Sequence, residues 1–309
     1  MLRFALRRSA QGIAVALGVT LAVFLLLRLV GDPVRRLLPI GFTQAQYDAL
    51  ATRLGLDQPL LVQLGDYFSG LLRFDLGESI WLNAPVTQIL GERLPNTLSL
   101  IGAGIGVALI VSSMLGTVAA ANAGSWIDRV ITAATLTLLS LPWFWTGGIL
   151  ILLLAVQLGL FPTSGATEGL RSLALPAIAL ALPIIGRLTQ VVRQSVLGEL
   201  AEPYVATARS KGFSVPYILS RHVPRNALLP VTSFVGWEII RSLGASTVVV
   251  EVVFSYPGIG SLAVDAARRQ DIVLLQSTVL LVALLIVLTY FVFDLLYSLI
   301  DPRVRESVR

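Results

Sequence analysis

Two ionisable residues stand where an apolar sequence tolerates them least. Glu238 and Arg241 interrupt residues 228–254, a stretch otherwise apolar enough to cross a bilayer. A charge at the bilayer centre costs on the order of 2.5–3.5 kcal/mol on insertion scales. At i, i+3 the two share a helix face and can pair. Ser242 and Ala245 continue that face, with Ser246 and Thr247 nearby. Two readings stay open: an ion pair that locks helix packing, or a pore lining that contacts a zwitterionic solute. A second group of polar residues precedes them. Arg209, Lys211, Arg221 and Arg225 flank Gly212 and offer charged contacts to a partner or to lipid phosphates. Other chemistries lack their residues. There is no cysteine, which excludes disulfides, thiolate nucleophiles and Cys-based metal sites. The single histidine, His222, leaves a His-rich metal site or a Ser–His dyad almost nothing to be built from. No G-x-x-x-x-G-K-[ST] occurs, so the chain holds no ATP in a P-loop of its own.

The elements that position these residues are membrane helices. The chain is 55% hydrophobic and 13% charged, against roughly 25% charged residues in an average soluble domain, which leaves too little polar surface to coat a water-soluble globule. The formal charge is +5, and Lys211 is the only lysine. The arginines cluster beside apolar runs, which fits a membrane surface better than nucleic acid. A spanning helix needs about 20 mostly apolar residues, and six stretches qualify: 10–30, 97–122, 130–157, 173–197, 228–254 and 272–300. The first follows Arg3, Arg7 and Arg8 but is longer than a signal-peptide core, and no clear cleavage site follows it. It reads as a retained helix.

Arginine placement sets the expected orientation. With the N-terminus cytoplasmic, the inside segments hold Arg3, Arg7, Arg8, Arg129, Arg209, Lys211, Arg221, Arg225, Arg303, Arg305 and Arg309, against Arg171, Arg268 and Arg269 in the short outside loops. Both termini are therefore expected inside. Arg187, Arg193 and Arg28 lie toward helix ends and are expected to snorkel. Trp143, Phe144 and Trp145, after Pro142, are expected to pack at a kink within the third span. Two hydrophilic segments interrupt the spans. Residues 31–96 form an outside module with helical patterns near 44–54 and 60–72. Residues 198–227 form an inside hairpin. One helix is expected from Leu200 to Lys211 and a break at Gly212. A second helix follows, capped by Ser214, with Pro216 in its first turn and Pro224 after its end. Taken bare, this is a positive-inside loop with a glycine helix cap.

Residues 202–230 read EPYVATARSKGFSVPYILSRHVPRNALLP. This resembles the cytoplasmic EAA loop of ABC importer permeases, and most of all the dipeptide/oligopeptide permease family. Tyr204, Thr207, Ala208, Arg209, Lys211, Gly212, His222, Asn226, Ala227, Leu228 and Pro230 fall in register. Ser210 replaces the usual alanine, and Glu202-Pro203 stands where the family often has a Gln-Asp pair. Further pieces of the pattern are Gly31-Asp32-Pro33, Leu54-Gly55-Leu56-Asp57-Gln58-Pro59, Asp75-Leu76-Gly77-Glu78-Ser79 with Pro85-Val86, and Leu160-Phe161-Pro162-Thr163-Ser164-Gly165. Glu251, Phe254, Ser255, Pro257, Gly258, Ile259 and Gly260, then Asp294, Tyr297 and Asp301-Pro302-Arg303, complete it.

The resemblance implies an all-α membrane protein with the six-helix fold of type I ABC importer permeases. It divides the chain into helix one (1–30), an outside module (31–96) and a permease core (97–309) that carries the coupling loop (198–227). The protein would be a first, B-type subunit forming half of the pathway for peptides or similar small solutes in a bacterial cell membrane. Its partners would be a C-type permease, two cytoplasmic ABC ATPase domains and an extracytoplasmic solute-binding protein. No cofactor and no catalytic residue is implied. Coupling to the ATPases would fall to Tyr204, Thr207, Ala208, Arg209, Lys211, Gly212, Phe213, Ser214, Tyr217, Arg221, His222 and Asn226. Glu238, Arg241 and Ser242 are candidates for the solute pathway, and Tyr256, Pro257 and Gly258 for a fixed outer-gate loop. Two other classes remain in view. A self-sufficient secondary transporter or channel would use Glu238 and Arg241 for ion coupling. An intramembrane hydrolase is opposed by the lone histidine, the absent cysteine and the absent H-E-x-x-H.

Overall fold

A computed structural model describes residues 2–29, 34–35, 38, 41–53 and 55–300. The expected features at Gly31-Asp32-Pro33, Leu54 and Asp301-Pro302-Arg303 lie outside these residues, as do the side chains of Arg3, Arg7, Arg8, Arg28, Arg225 and Tyr297. The chain gathers into two compact units. One comprises Met1–Thr97 with Pro257–Leu288, the other Leu98–Tyr256 with Thr289–Arg309.

Over their described residues the six apolar stretches are mostly helical, two of them as more than one helical element. In chain order the helices are α1 (Leu2–Leu29), α2 (Gln44–Arg53), α3 (Leu60–Leu72), α4 (Val86–Ala121), α5 (Trp126–Ser140), α6 (Trp143–Leu150, continued by a π-helical turn Ile151–Gln157) and α7 (Leu170–Leu200). They continue with α8 (Pro203–Ser210), α9 (Val215–Arg221), α10 (Pro224–Arg241, continued by a π-helical turn Ser242–Ser246), α11 (Thr247–Val253), α12 (Ile259–Arg269) and α13 (Ile272–Ile300). Among the described residues, α4, α7 and α13 are long and apolar enough to cross a membrane. The third expected span is not one rod. It breaks at Leu141 and Pro142, where the chain bends by 102°. Pro142 lacks the N–H a continuous helix needs and pushes Leu141 to extended backbone (ψ 124). Trp143 therefore opens a new helix, and Phe144 and Trp145 point outward rather than packing at a kink.

In the unit built on residues 98–256, α7 is the central rod and is buried along most of its length. In a bilayer, small residues let helix backbones approach closely. A Cβ on Gly104 would lie 2.9 Å from Leu180, and one on Gly116 would lie 2.7 Å from Val192. These two glycines seat α4 on α7. Gly186 does the same for α5, since its Cβ would meet the Thr135 carbonyl oxygen at 2.7 Å. Arg193 does not snorkel. It clamps the start of α5 with two bonds to Asp128, Nε to Oδ1 at 2.6 Å and Nη2 to Oδ2 at 2.7 Å. Gln190 donates to Thr135 Oγ1 one turn away (2.8 Å).

The other unit has its own core, made by Val86, Ile89, Leu90, Ile259, Leu262, Ala266 and Leu274. Residues 75–97 thus share a core with α12 and α13. A two-stranded antiparallel ribbon, β1 (Glu78–Ser79) and β2 (Ala84–Pro85), is fastened through Asp271. The Asp271 carboxylate accepts from Ser79 Oγ (2.6 Å), the Trp81 N–H (3.0 Å) and the Leu274 N–H (3.0 Å), so one side chain caps α13 and holds the ribbon. Arg269 stacks over the Trp81 ring at 4.1 Å. Gly12 lets α1 meet α13, where a Cβ would fall 2.5 Å from Val287.

Candidate functional site

The segment between α7 and α10 is a helix–turn–helix hairpin, as its sequence suggests, with shifted boundaries. The expected helix from Leu200 to Lys211 is interrupted. α7 runs on to Leu200, the chain bends at Ala201 and Glu202, and α8 restarts at Pro203. Proline at this first position loses no helical hydrogen bond, because its N–H would be unpartnered there anyway. α8 ends in a Schellman turn: Gly212 N–H bonds Arg209 O (2.9 Å) and Phe213 N–H bonds Ala208 O (3.2 Å). Gly212 has φ +82° and open space around it, so glycine is required there by backbone conformation rather than by crowding. Ser214 occupies the position before α9, but its hydroxyl makes no capping bond. Pro224 opens α10, which places Asn226 and Ala227 inside a helix rather than in the loop.

The hairpin has an inner and an outer side. Val205, Ala208, Ile218 and Val223 are buried beneath it. Residues 209–217 are all exposed, and among them Phe213, Val215 and Tyr217 are large apolar side chains. Phe213 stacks on Tyr217 at 5.0 Å between centroids, and His222 closes the group at 5.9 and 5.6 Å. Arg209, Lys211 and Arg221 are exposed around this aromatic face. The expected residues therefore divide by what they touch. Ala208 is core. Thr207 is exposed, but its hydroxyl bonds back to Pro203 O (3.1 Å).

Tyr204 and Asn226 anchor the hairpin through a residue that the sequence reading missed. Glu199 Oε2 accepts from Tyr204 Oη (2.6 Å) and Asn226 Nδ2 (3.0 Å), joining the ends of α7, α8 and α10. Burial, reinforced by the Glu199 carboxylate, pushes the Tyr204 phenol up to about 12. A signal was present in the sequence. A glutamate in the last turn of a helix opposes the helix dipole, so its presence there marks a local partner.

The intramembrane charges are arranged differently from the expected i, i+3 pair. Glu238 is 1% exposed, and its Oε1 lies 2.9 Å from Arg187 Nη2 of α7. Arg241 is the more distant cation, at 3.8 Å. Arg187 is thus an interior residue and not a snorkelling one. The Arg241 guanidinium sits 5.2 Å from the Trp143 ring centroid and 5.4 Å from that of Trp237. Ser242 and Ser246 are buried in the π turn that follows, and Thr247 is buried at the start of α11.

The segment at Tyr256, Pro257 and Gly258 is tied down by backbone bonds. Tyr256 N–H donates to Glu251 O (2.8 Å), Asn96 Nδ2 to Pro257 O (2.8 Å), and Ile259 N–H to Thr97 Oγ1 (2.7 Å). Tyr256 is buried, and Ser255 adopts a positive φ of 47° to make the corner.

Three comparisons bear on this arrangement. Residues 112–306 match the model of the family described as binding-protein-dependent transport system inner membrane component. A Brucella abortus (strain 2308) protein named as a peptide transport system permease protein is 39% identical over 308 residues, covering 97% of this chain and 98% of that one. The oligopeptide transport system permease protein AppB of Bacillus subtilis (strain 168) is 35% identical, with coverage of 98% and 99%. Among solved structures, one of the MetNI methionine ABC transporter in an inward-facing conformation superposes with a TM-score of 0.59 at 16% identity. It covers 69% of this chain and 97% of that one.

Proposed function

The chain belongs to the binding-protein-dependent transport system inner membrane component family, and from that membership we propose how its hairpin, its buried charges and its outer loop work together. It is the transmembrane permease subunit of an ATP-driven ABC importer, and ATP is hydrolysed on partner subunits. The solute is a peptide, a reading supported by relatives named for peptide and oligopeptide transport. This subunit pairs with a C-type permease, two cytoplasmic ATPase domains and an extracytoplasmic binding protein, with both of its own termini cytoplasmic.

The aromatic face of the hairpin carries the coupling. Phe213, Val215 and Tyr217 form an apolar knob with a rim of Arg209, Lys211 and Arg221, the composition of a docking surface whose centre is apolar and whose edge is charged. Gly212 and Ser214 form the turn that presents it, His222 backs the aromatic pair, and the Tyr204–Glu199–Asn226 bridge passes its motion into α7 and α10. α7 in turn grips α5 through Asp128 and α10 through Glu238. Displacement of the hairpin by nucleotide-driven closure of the ATPases therefore moves helices that line the solute path. Glu238, Arg241 and Ser242 face that path. Tyr256, Pro257 and Gly258 form a fixed outer gate, and residues 31–96 help receive the binding protein.

The observation that carries this reading is a nine-residue exposed run built on a buried floor. Deleting residues 214–222 tests it in the reconstituted complex. ATP-coupled uptake is expected to fall to background while the permease still inserts. Undiminished uptake overturns the coupling role.

A further inference from the structure

The charges around the buried Glu238 do not balance. Two guanidinium groups, Arg187 and Arg241, share the single Glu238 carboxylate, so the cluster retains one positive charge. Arg187 is the closely paired one. Arg241 lies within 5.4 Å of both the Trp143 and the Trp237 ring centroids, with 31% of its side chain exposed. Attraction to an aromatic face steadies a guanidinium but satisfies none of its five N–H donors.

The surroundings add more donors. The Trp143 Nε1–H and the Arg187 Nε–H are buried and have no hydrogen-bond partner among the described residues. The hydroxyl of Ser242, next to Arg241 in the chain, shares that condition. Buried polar groups in folded proteins are almost always paired, so a group of unpaired ones calls for an explanation. Indole and guanidinium groups donate only, and hydroxyls can donate. Glu238 Oε1 is the one pure acceptor left unpaired beside them, so donors outnumber acceptors and the array favours an anion. The π turn at Ser242–Ser246 runs through it, and such turns are frequent at functional sites.

Resting on the reading of this chain as a peptide importer's permease, we propose that the cluster receives the carboxylate of the solute in transit. Arg241 is its counter-ion and Trp143 Nε1–H a second donor. Glu238 keeps the site weak. A transport site must hold its cargo well enough to admit it and loosely enough to release it. A carboxylate already 3.8 Å from Arg241 competes with the incoming one and lowers its hold.

The test uses the complete importer, with its binding protein, in proteoliposomes. The probes are radiolabelled alanyl-phenylalanine and its C-terminal amide, with affinity of each for the binding protein measured separately. After correction for that affinity, the native complex is expected to import the free acid roughly 10-fold or more faster than the amide, the worth of a charge-assisted hydrogen bond. R241Q is expected to slow the free acid by about 10- to 100-fold. Its loss for the free acid should exceed its loss for the amide by about 10-fold or more, because only the acid presents a carboxylate to Arg241. R241K keeps the preference for the acid, and W143F weakens it; these two decide the matter where R241Q fails to assemble. Equal losses for both peptides would mark Arg241 as a packing residue and overturn the proposal, as would R241Q carrying the acid at the native rate. A native complex that imports neither peptide removes the peptide reading itself and the proposal with it.

Discussion

The triad centred on the buried Glu238 makes an unequal prediction for its members. At an effective dielectric of about 20, unit charges 2.9 Å apart attract by about 6 kcal/mol, and at 3.8 Å by about 4 kcal/mol, before desolvation offsets most of it. Glu238→Gln strands Arg187 and Arg241 together with no counter-charge. Removing one partner of a buried pair costs about 3–5 kcal/mol, so E238Q is expected at that level. Arg187→Gln leaves Arg241 to neutralise Glu238 and is expected to cost only about 1–2 kcal/mol, because the remaining pair is balanced. Adding R187Q to E238Q relieves the stranded charge and should restore about 2 kcal/mol or more, so the second substitution stabilises. The assay is thermal unfolding of the purified subunit in detergent, followed by loss of the monodisperse species. E238Q should lower Tm by on the order of 10 °C, at roughly 2–4 °C per kcal/mol. The reasoning is refuted if E238Q falls within about 0.5 kcal/mol of the native chain, the spread of an ordinary surface substitution. That result would mean the carboxyl is carried neutral. Simple addition of the two losses in the double variant would refute it equally.

Other consequences are as specific. Gly186→Ala places a methyl group 2.7 Å from the Thr135 carbonyl oxygen and forces α5 off α7; it should cost about 1–3 kcal/mol, whereas Gly18→Ala, with nothing within 4 Å, should be near neutral in the same unfolding assay. Tyr204→Phe removes the 2.6 Å bond to Glu199 from a half-buried site, and should cost about 1 kcal/mol while uptake per ATP hydrolysed declines. The native Tyr204 phenol is raised from 10.0 to about 12, so its contribution is fully present below pH 10 and lost as pH climbs toward 12. Spectrophotometric titration at 295 nm should therefore show one fewer late-ionising tyrosine in Y204F than in the native chain.

The sequence made the spans and the hairpin legible because both are local. Apolar runs of the right length report a bilayer directly. Gly212, with proline near the start of each flanking helix, reports a turn that needs left-handed backbone. Partners drawn from distant segments were not legible. Glu238 was expected to pair with Arg241, three residues away, because helical spacing was the only geometry in view. Its nearer cation, Arg187, comes from another helix. Arg193 looked like a snorkelling residue for the same reason, since nothing local betrays a clamp on Asp128. The break at Leu141 and Pro142 was underestimated: a proline at that place was read as a kink, and the chain turns by 102°. Asp271 directly precedes an apolar helix, where an aspartate commonly caps, but its hold on the distant ribbon at Ser79 and Trp81 has no local signal.

The central claim concerns the face at residues 209–217, and the chain's lack of cysteine makes it directly measurable. Phe213→Cys gives a single thiol on an exposed turn. In the assembled importer, a short bifunctional reagent should cross-link that thiol to an ATPase subunit, with a yield that changes on adding ATP. In sealed right-side-out vesicles, an impermeant maleimide should leave it unlabelled. Labelling from the outer face, or cross-links that never include an ATP-hydrolysing subunit, would contradict the account.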